Sequence, residues 1–260
     1  MSEKRSGQLS SVKNALKILK SFTTTQPVKR VSDLAEELGV SKSTVSRLIS
    51  TLVSEDFLAP DTETAGYRLG YSVLTLGGAL TSTNELYREV APVLNNIVLQ
   101  TGESAHVAVL EGQDVIYLNK NTGPYYSNIL TSVGAHNAAY AASSGKVILA
   151  EADPEVIDQM FEDGVKAYTE HTITNPIKFK KELEKVRRQG YAMSIEEITK
   201  NNYSIAVPVR DMSGKIACAI TVVGPLSRVN KGKLEQFIKI MKEAAHDASE
   251  RLGYDEDDNH

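Results

Sequence analysis

The sequence predicts an α+β fold in two parts: a small helical N-terminal part and a larger C-terminal part built on an antiparallel sheet. Between residues 31 and 58, apolar residues recur every three to four positions, which is typical of amphipathic helices. From residue 104 onward, short β-type runs joined by tight turns alternate with helical patterns. The 260 residues are enough for two domains with their own cores.

Composition narrows the class of protein further. The only cysteine is Cys218, so an intramolecular disulfide and a cysteine metal cluster are excluded. The five histidines show no metal-ligand spacing, and no cofactor motif is present, so we expect neither a metal nor a cofactor. The chain begins without a secretory signal and has no apolar run of membrane-spanning length. We therefore expect a cytoplasmic protein with no membrane partner.

Residues 31–58 predict two short helices joined by a tight turn. Val31, Leu34, Ala35 and Leu38 share one face of the first helix, and Gly39 would end it in the left-handed conformation. Ser41 is a suitable N-cap for a second helix, about Lys42 to Ser54. Its predicted buried face consists of Val45, Leu48, Ile49, Leu52 and Val53. This is the helix-turn-helix arrangement, in which the front of the second helix reads base edges in the major groove.

The exposed side of that second helix supplies the candidate DNA contacts. We expect base contacts from Ser43, Thr44, Ser46 and Arg47, and phosphate contacts at the helix start from Ser41 and Lys42. Two β-type runs, 57–59 and 67–69, flank a polar tip at 61–66 and predict a wing that carries Arg68 as its cation. Upstream, the helical pattern at 11–22 predicts a further helix whose core face includes Val12 and Leu16.

Other functions remain compatible with these patterns, because paired amphipathic helices around a glycine are common. The main alternative is an enzyme or a stand-alone metabolite sensor whose N-terminal helices serve only assembly. A non-specific architectural DNA binder is a further alternative. Residues 1–70 are close to neutral, which argues against it, since such binders depend on many phosphate contacts.

Taken together, the segments resemble one known family. SVKNALKILKSF, LAEELGVSKSTVSRLISTL and GYRLG resemble the winged-helix half of the IclR-type bacterial transcription regulators. Downstream, TGESAHVAVLEGQDVIYLN, SSGKVILA, RRQGYAMSIEE and IAVPVRDMSGKIACAITVVGP are similar to that family's effector domain in order and spacing. A helix-turn-helix pattern alone indicates a family only weakly. This many similar segments in the same order over residues 9 to 253 indicate it specifically.

The resemblance implies a ligand-responsive regulator, not an enzyme, that binds operator DNA as a homodimer or a pair of dimers. Repression of a catabolic operon is the expected mode. It implies a winged helix at 1–70, a linker helix at 71–84 that helps dimerisation, and a PAS- or GAF-like effector domain at 85–254 with an acidic tail at 255–260 that we expect to be disordered. From the residues alone, the connecting helix could equally pack onto its own domain.

In the C-terminal part the patterns predict strands at 104–110, 114–119, 191–194, 204–210 and 216–223. They predict helices at 143–151, 154–161, 177–189 and 231–252, and Pro92 predicts the start of a helix or a kink near it. We expect the helices to cover one face of the sheet. Adjacent Glu196 and Glu197 would point to opposite faces of a strand and so could not act on one substrate atom.

The candidate effector site begins at the run Ser143, Ser144, Gly145, Lys146, where a helix start with two hydroxyls and a glycine could receive an anion. A plain N-cap explains this run equally well; the resemblance favours the ligand site and adds Tyr140 together with the preceding loop 131–140. It also adds Ser194, Ser204 and Thr221, positions where family members often carry an acid, a cysteine and a serine. We therefore expect a neutral, hydroxyl-rich pocket for a small carboxylate or sugar acid, with aromatic effectors left open.

Overall fold

The computed structural model describes residues 9–124 and 131–255, and it divides the chain into two compact units between Thr83 and Asn84. Each unit has its own hydrophobic core. Among the described residues, none of the helices is both long enough and apolar enough to cross a membrane.

The N-terminal unit is a three-helix bundle followed by a two-stranded wing and a further helix. Its elements are α1 (Ser10–Ser21), α2 (Val31–Leu38), α3 (Lys42–Ser54), β1 (Leu58–Pro60), β2 (Tyr67–Leu69) and α4 (Ser72–Thr83). The bounds of α3 confirm the predicted second helix. Gly39 has φ 66°, so it ends α2 in the left-handed conformation as expected.

The core of this unit lies between α1, α2, α3 and β1, where Ile18, Leu34, Val45 and Ile49 are buried. The prediction for α1 was partly wrong, because Val12 and Leu16 are each 52% exposed. Ile18, which the predicted core face left out, is fully buried instead. A helix with apolar residues on more than one side does not reveal from its periodicity alone which side faces the core.

The wing is attached to the bundle through Lys29. Its backbone pairs with Tyr67 of β2, and its ammonium group contacts the Glu37 carboxylate on α2 at 2.5 Å. Lys29 is 5% exposed, whereas the Glu37 side chain is 41% exposed, so the ion pair is buried on the lysine side only. One residue thereby fixes the wing against the helix that precedes α3.

The C-terminal unit contains a six-stranded antiparallel sheet with the strand order β5-β4-β3-β8-β7-β6. The strands are β3 (Ser104–Glu111), β4 (Asp114–Asn121), β5 (His136–Ala138), β6 (Ala192–Ile195), β7 (Asn202–Arg210) and β8 (Ile216–Pro225). The helices are α5 (Glu85–Thr101), α6 (Ser143–Leu149), α7 (Pro154–Glu162), α8 (Pro176–Gln189) and α9 (Lys231–Arg251), with a short 3-10 turn at Leu226–Arg228.

Helices cover both faces of this sheet, so the expectation of one covered face was wrong. Residues of α5 and α9 form one core with the sheet, and residues of α6, α7 and α8 form a second core on the other side. The physical reason is visible in β8. Its run of apolar residues is continuous, with Cys218 and Ile220 in the first core and Ala219 in the second.

Most predicted elements are present with ends shifted by one or two residues. The short edge strand β5 was missed because three residues carry too little pattern. Pro92 lies inside α5, a 17-residue helix, and so does not mark its start. Of the expected acidic tail, residues 256–260 lie outside the described part of the chain.

Candidate functional site

One long side of α3 is exposed and polar. Lys42, Ser43, Thr44, Ser46 and Arg47 are all exposed, as the sequence predicted. The opposite side is anchored, because Val45 is fully buried and Ile49 is 1% exposed. The two turns at the front of α3 therefore present hydroxyls and two cations on a helix whose position is fixed by its core contacts.

Ser41 starts this helix. Its hydroxyl accepts a hydrogen bond from the Thr44 amide at 3.2 Å, which is the capping contact expected from the sequence. The same hydroxyl lies 2.9 Å from the hydroxyls of Ser43 and of Thr44. Three of the predicted DNA-contacting side chains thus form one connected cluster at the N-terminus of α3, where the helix dipole favours phosphate.

The wing carries a single cation between Phe57 and Gly70, namely Arg68. It is exposed on β2, and its guanidinium carbon lies 6.0 Å from the centre of the Tyr71 ring. The tip is shaped by Asp61, whose carboxylate accepts hydrogen bonds from the Thr64 amide and hydroxyl at 2.8 and 2.7 Å. The Thr64 hydroxyl holds the pKa of Asp61 below its usual range, so the tip stays negatively charged.

A cavity of about 180 Å³ opens in the C-terminal unit, on the sheet face covered by α6. Four of the predicted effector residues line it: Ser143, Ser194, Ser204 and Thr221. The sheet register explains why they meet, because Ser194 pairs with Ser204, and Thr221 lies across from Ala206 and His106 on the neighbouring strands.

The hydroxyl groups in this cavity differ in how they are bonded. Ser143 donates to the Ser204 hydroxyl at 2.7 Å, and Ser194 donates to the Ala141 carbonyl at 2.8 Å. The Thr221 hydroxyl is buried and has no hydrogen-bond partner among the described residues. Ser143 and Ser194 therefore already use their protons, whereas Thr221 remains able to donate and to accept.

His106 lines the cavity as a neutral ring. It is 1% exposed, and its Nε2 atom lies 2.7 Å from the Thr131 hydroxyl. Burial, assisted by the charge of Lys120, lowers the pKa of His106 to about 3. The ring also packs against Tyr117, with centroids 5.0 Å apart. A neutral imidazole offers the cavity hydrogen bonding without charge.

Several hydroxyl-bearing residues line the cavity, but two glutamates do so as well, so the expectation of a neutral, hydroxyl-rich pocket was wrong about its charge. Glu196 has φ 57°, a left-handed conformation that breaks the strand after Ile195. The alternation argument therefore does not apply to Glu196 and Glu197, and both reach the same cavity. Glu197 is paired with the fully buried Lys146. Burial raises the pKa of the Glu197 carboxyl, and the Lys146 ammonium limits that rise.

Three predicted effector residues lie elsewhere. Tyr140 is 6% exposed; its hydroxyl donates to the Lys166 carbonyl at 2.7 Å, and its ring stacks on Tyr168, so it does not line the cavity. Gly145 lies against Ala139, and a Cβ atom placed on it would come within 2.1 Å of the Ala139 carbonyl oxygen. Ser144 is buried without lining the cavity.

Sequence reasoning missed His106, Tyr117 and Glu197 as lining residues. His106 gave only a partial signal, because the sequence placed it on a predicted strand but its register with Thr221 is visible only in the structure. Glu197 gave none, because its position depends on the backbone turn at Glu196. From the neighbouring loop 131–140, Thr131 and Asn137 do reach the cavity.

The chemistry that these residues allow is binding. The described residues contain no group of three or more potential metal ligands. Burial raises the pKa of the Cys218 thiol to about 12, so it stays protonated and unreactive. The cavity thus combines hydroxyls, a neutral imidazole and a paired carboxylate, and the α3 surface is a separate polar face on the other unit.

A winged helix and, in the same chain, a second unit with a small polar cavity beside an antiparallel sheet define a class of regulators that combine DNA binding with ligand binding. Residues 11–62 match the IclR helix-turn-helix domain, and residues 78–250 match the bacterial transcriptional regulator IclR C-terminal domain. These matches cover most of the chain, and it belongs to the IclR family of transcriptional regulators, as the sequence resemblance indicated.

Relatives extend the similarity to almost the full length. The HTH-type transcriptional regulator KdgR of Escherichia coli is 28% identical over 97% of this chain and 96% of its own. A solved regulator from Alicyclobacillus acidocaldarius is 30% identical, covers 95% of this chain and 100% of its own, and has a TM-score of 0.83. An IclR homologue from Microbacterium hydrocarbonoxydans complexed with 4-hydroxybenzoate has 26% identity and a TM-score of 0.82, covering 94% of this chain and 99% of its own.

These similarities settle the class of function. The chain is a DNA-binding transcriptional regulator of the ligand-responsive type and not an enzyme. The predicted fold class, an N-terminal helix-turn-helix followed by a domain with an antiparallel sheet, is confirmed.

Proposed function

We propose that this protein is a cytoplasmic repressor that binds operator DNA through α3 and is released or retained by a small metabolite, so that it controls a catabolic operon near its own gene. One observation carries the DNA-binding part: the exposed side of α3 is polar along its first two turns while its other side is locked into the core. A relative named Transcriptional repressor IclR supports repression, and a relative named Glycerol operon regulatory protein supports the control of a metabolic operon.

The proposed contacts divide by chemistry. Ser43, Thr44, Ser46 and Arg47 read base edges, and Arg47 can form a bidentate contact to guanine. Lys42 and Arg68 neutralise phosphates, and Ser41 holds the helix start against the backbone. The acidic wing tip at Asp61 and Glu63 disfavours contacts beyond Arg68, so non-specific affinity should be low.

Binding to the DNA that flanks its own gene tests this function. Fluorescence anisotropy at several salt concentrations should give sequence-selective binding that weakens as salt rises, because each neutralised phosphate releases counterions. A scrambled duplex of equal length is the control. Equal affinity for both duplexes, or no binding with or without metabolites, would contradict the proposal.

We further infer that the protein works as a homodimer, which could pair into a tetramer, held partly through α4. In this helix of 12 residues none is buried. Leu76 is 60% and Leu80 is 62% exposed, and their spacing puts them on one side of the helix. A short helix containing Gly77 and Gly78 is poorly stable alone, so it gains from packing against a second copy of itself.

For the effector, the cavity supports a small polar metabolite, with a small carboxylate or sugar acid as the proposed class. Its volume of about 180 Å³ is below the about 300–1,000 Å³ typical of drug-sized ligands. The four lining residues Ser143, Ser194, Ser204 and Thr221 form its polar wall. The effector acts by binding more tightly to one of two arrangements of the DNA-binding helices. It can shift the equilibrium between the two arrangements by no more than this difference in binding free energy.

A further inference from the structure

The wing is a hairpin of two strands, β1 and β2, each three residues long. A two-stranded hairpin is marginally stable alone in water, so its orientation depends on its contacts with the rest of the unit. The core holds its root, because Leu58 is 2% exposed and a Cβ atom on Gly70 would lie 2.0 Å from the Asp56 carbonyl oxygen. Arg68, the cation proposed to contact DNA, lies between this root and the tip.

Lys29 holds the other end of the wing through its backbone. Its amide donates to the Tyr67 carbonyl at 3.0 Å, and the Tyr67 amide donates to the Lys29 carbonyl at 2.8 Å. Across the hairpin, Tyr67 faces Pro60 of β1, which has no amide hydrogen to donate. Lys29 therefore acts as a one-residue third strand beside β2.

The side chain of the same residue reaches α2. Lys29 Nζ donates to both carboxylate oxygens of Glu37, at 2.5 and 2.7 Å. The helix α2 is in turn packed against α3 in one core, to which Leu34 and Val45 contribute. A continuous path of direct contacts thus runs from the wing through Lys29 to α2 and on to α3.

Stability gives a weak reason for a lysine at this position. Burying an ammonium group costs desolvation energy, and its attraction to a half-exposed carboxylate offsets that cost only roughly. An ion pair with two hydrogen bonds does, however, fix a direction and a length, because the ammonium group must reach both oxygens. An apolar side chain of similar length would fill the same space without fixing either.

We propose that Lys29 is a positioning residue for operator binding: its ion pair with Glu37 fixes the wing relative to α3 so that Arg68 reaches a phosphate while α3 lies in the major groove. The inference rests on the proposed function, in which α3 and Arg68 contact the same operator. Alternation along β2 supports it, because Tyr67 and Leu69 pack on the core and Arg68 between them is exposed. Lys29 and Glu37 act through Arg68 and do not touch DNA themselves.

The double variant Lys29→Met with Glu37→Gln removes the ion pair and leaves the net charge unchanged. In anisotropy titrations its operator affinity should fall about three- to tenfold, close to the loss in Arg68→Ala, as expected for about one phosphate contact. In an Arg68→Ala background the same double variant should lose less than about twofold, since the two changes remove one contact. Losses that multiply in the triple variant, or an unchanged affinity in the double variant, would overturn the proposal.

Two further readouts separate positioning from a merely structural role. In the double variant, the slope of log affinity against log salt should flatten by about 0.9 per chain, while discrimination between operators with single base-pair changes is kept. Ile18→Val removes a methyl group from the core on α1, away from the wing, and is the stability control. It should lower the melting temperature at least as much as the double variant does and should keep the wild-type affinity and slope. An equal loss of affinity in Ile18→Val would overturn the proposal.

Hydrogen exchange of the wild type decides the matter if the double variant does not fold. The Tyr67 amide, bonded to the Lys29 carbonyl, should exchange as slowly as the amides of α2, since the two move together. Exchange as fast as in an unstructured peptide would show that the wing moves independently and would overturn the proposal. A wild type that does not bind the operator would instead refute the proposed function. Operator binding that is unchanged in Arg68→Ala would leave that function standing and overturn this inference alone.

Discussion

Gly145 illustrates how a residue near a binding site can serve packing instead. The sequence placed it in an anion receptor, but its Cα faces the Ala139 backbone so closely that any side chain would collide with the carbonyl oxygen. Its place in the SSGK run is therefore explained by the tight approach of α6 to the segment before it. A glycine here needs no ligand to account for it.

Gly145→Ala should accordingly destabilise the C-terminal unit by about 1–3 kcal/mol, the usual cost of overpacking. Urea denaturation of the full chain measures this change. Gly232→Ala is the control, because a Cβ atom there meets only the Asn230 side chain at 3.7 Å. Wild-type stability in Gly145→Ala would show that Ala139 yields easily and that the close approach is unimportant.

His106 makes the stability of the protein depend on pH. Its pKa is about 3 in the folded protein and about 6.5 when unfolded, so the unfolded chain binds the extra proton between these values. Stability from the neutral ring is complete above about pH 6.5 and is lost as pH falls toward 3. For a single group with these values, lowering the pH from about 7.5 to about 5 costs about 2 kcal/mol.

His106→Gln should remove that contribution, so its stability should fall by about 2 kcal/mol less than the wild type does over the same pH interval. Urea denaturation at the two pH values provides the comparison. His246→Gln changes an exposed histidine on α9 and should keep the wild-type pH dependence. The same slope in His106→Gln and wild type would show that the ring is not held neutral.

One hydroxyl group caps the start of the helix α3. Ser41 caps the Thr44 amide and contacts two further hydroxyls, so the front of the helix is ordered before DNA arrives. Such ordering lowers the entropy that binding must remove. The bounds of α3 were predicted correctly from the sequence. The glycine that ends the preceding helix, the capping serine and the 3.6-residue spacing of apolar residues all indicated the same helix.

Ser41→Ala should destabilise the N-terminal unit by about 1 kcal/mol, the typical value of a lost N-cap, and should speed hydrogen exchange at the front of α3. Ser50→Ala is the control on the same helix, because the Ser50 hydroxyl bonds only to the Ser46 carbonyl one turn earlier. If exchange at the Thr44 amide is unchanged, Ser41 does not order the helix.

The helix α4 exposes several large apolar side chains, so we expect it to pack against a partner. Tyr71 just before it and Leu74, Leu76 and Leu80 within it are each at least 60% exposed, which is a large apolar surface for a short helix. Leu76→Glu should therefore weaken the proposed dimer and reduce operator affinity, as light scattering and anisotropy would show. Ile177→Glu, at an exposed site on α8, should leave both unchanged. A fully dimeric Leu76→Glu would place the dimer contact elsewhere.

At the scale of the whole molecule, the chain separates two tasks. The unit ending at Thr83 carries the polar side of α3, and the unit beginning at Asn84 carries the cavity. Most of the helices and strands could be predicted from the sequence, because they follow local rules such as caps, turns and periodicity. The positions of Glu197 and His106 follow from sheet register and a left-handed turn at Glu196, which no local pattern encodes. Helices on both sheet faces were missed for a similar reason, since a continuous apolar strand is compatible with either arrangement.

The central claim is that the front of α3 reads base sequence. The direct test is the affinity of wild type and Arg47→Ala for the operator and for a set of operators with single base-pair changes, with Lys239→Ala on α9 as the charge-matched control. We expect Arg47→Ala to lose about 1–3 kcal/mol on the operator and to become indifferent to one base pair, while discrimination elsewhere is kept. An equal loss on every duplex would place Arg47 against the DNA backbone, and no loss at all would remove it from the interface; either result would contradict the claim that Arg47 at the front of α3 reads base sequence.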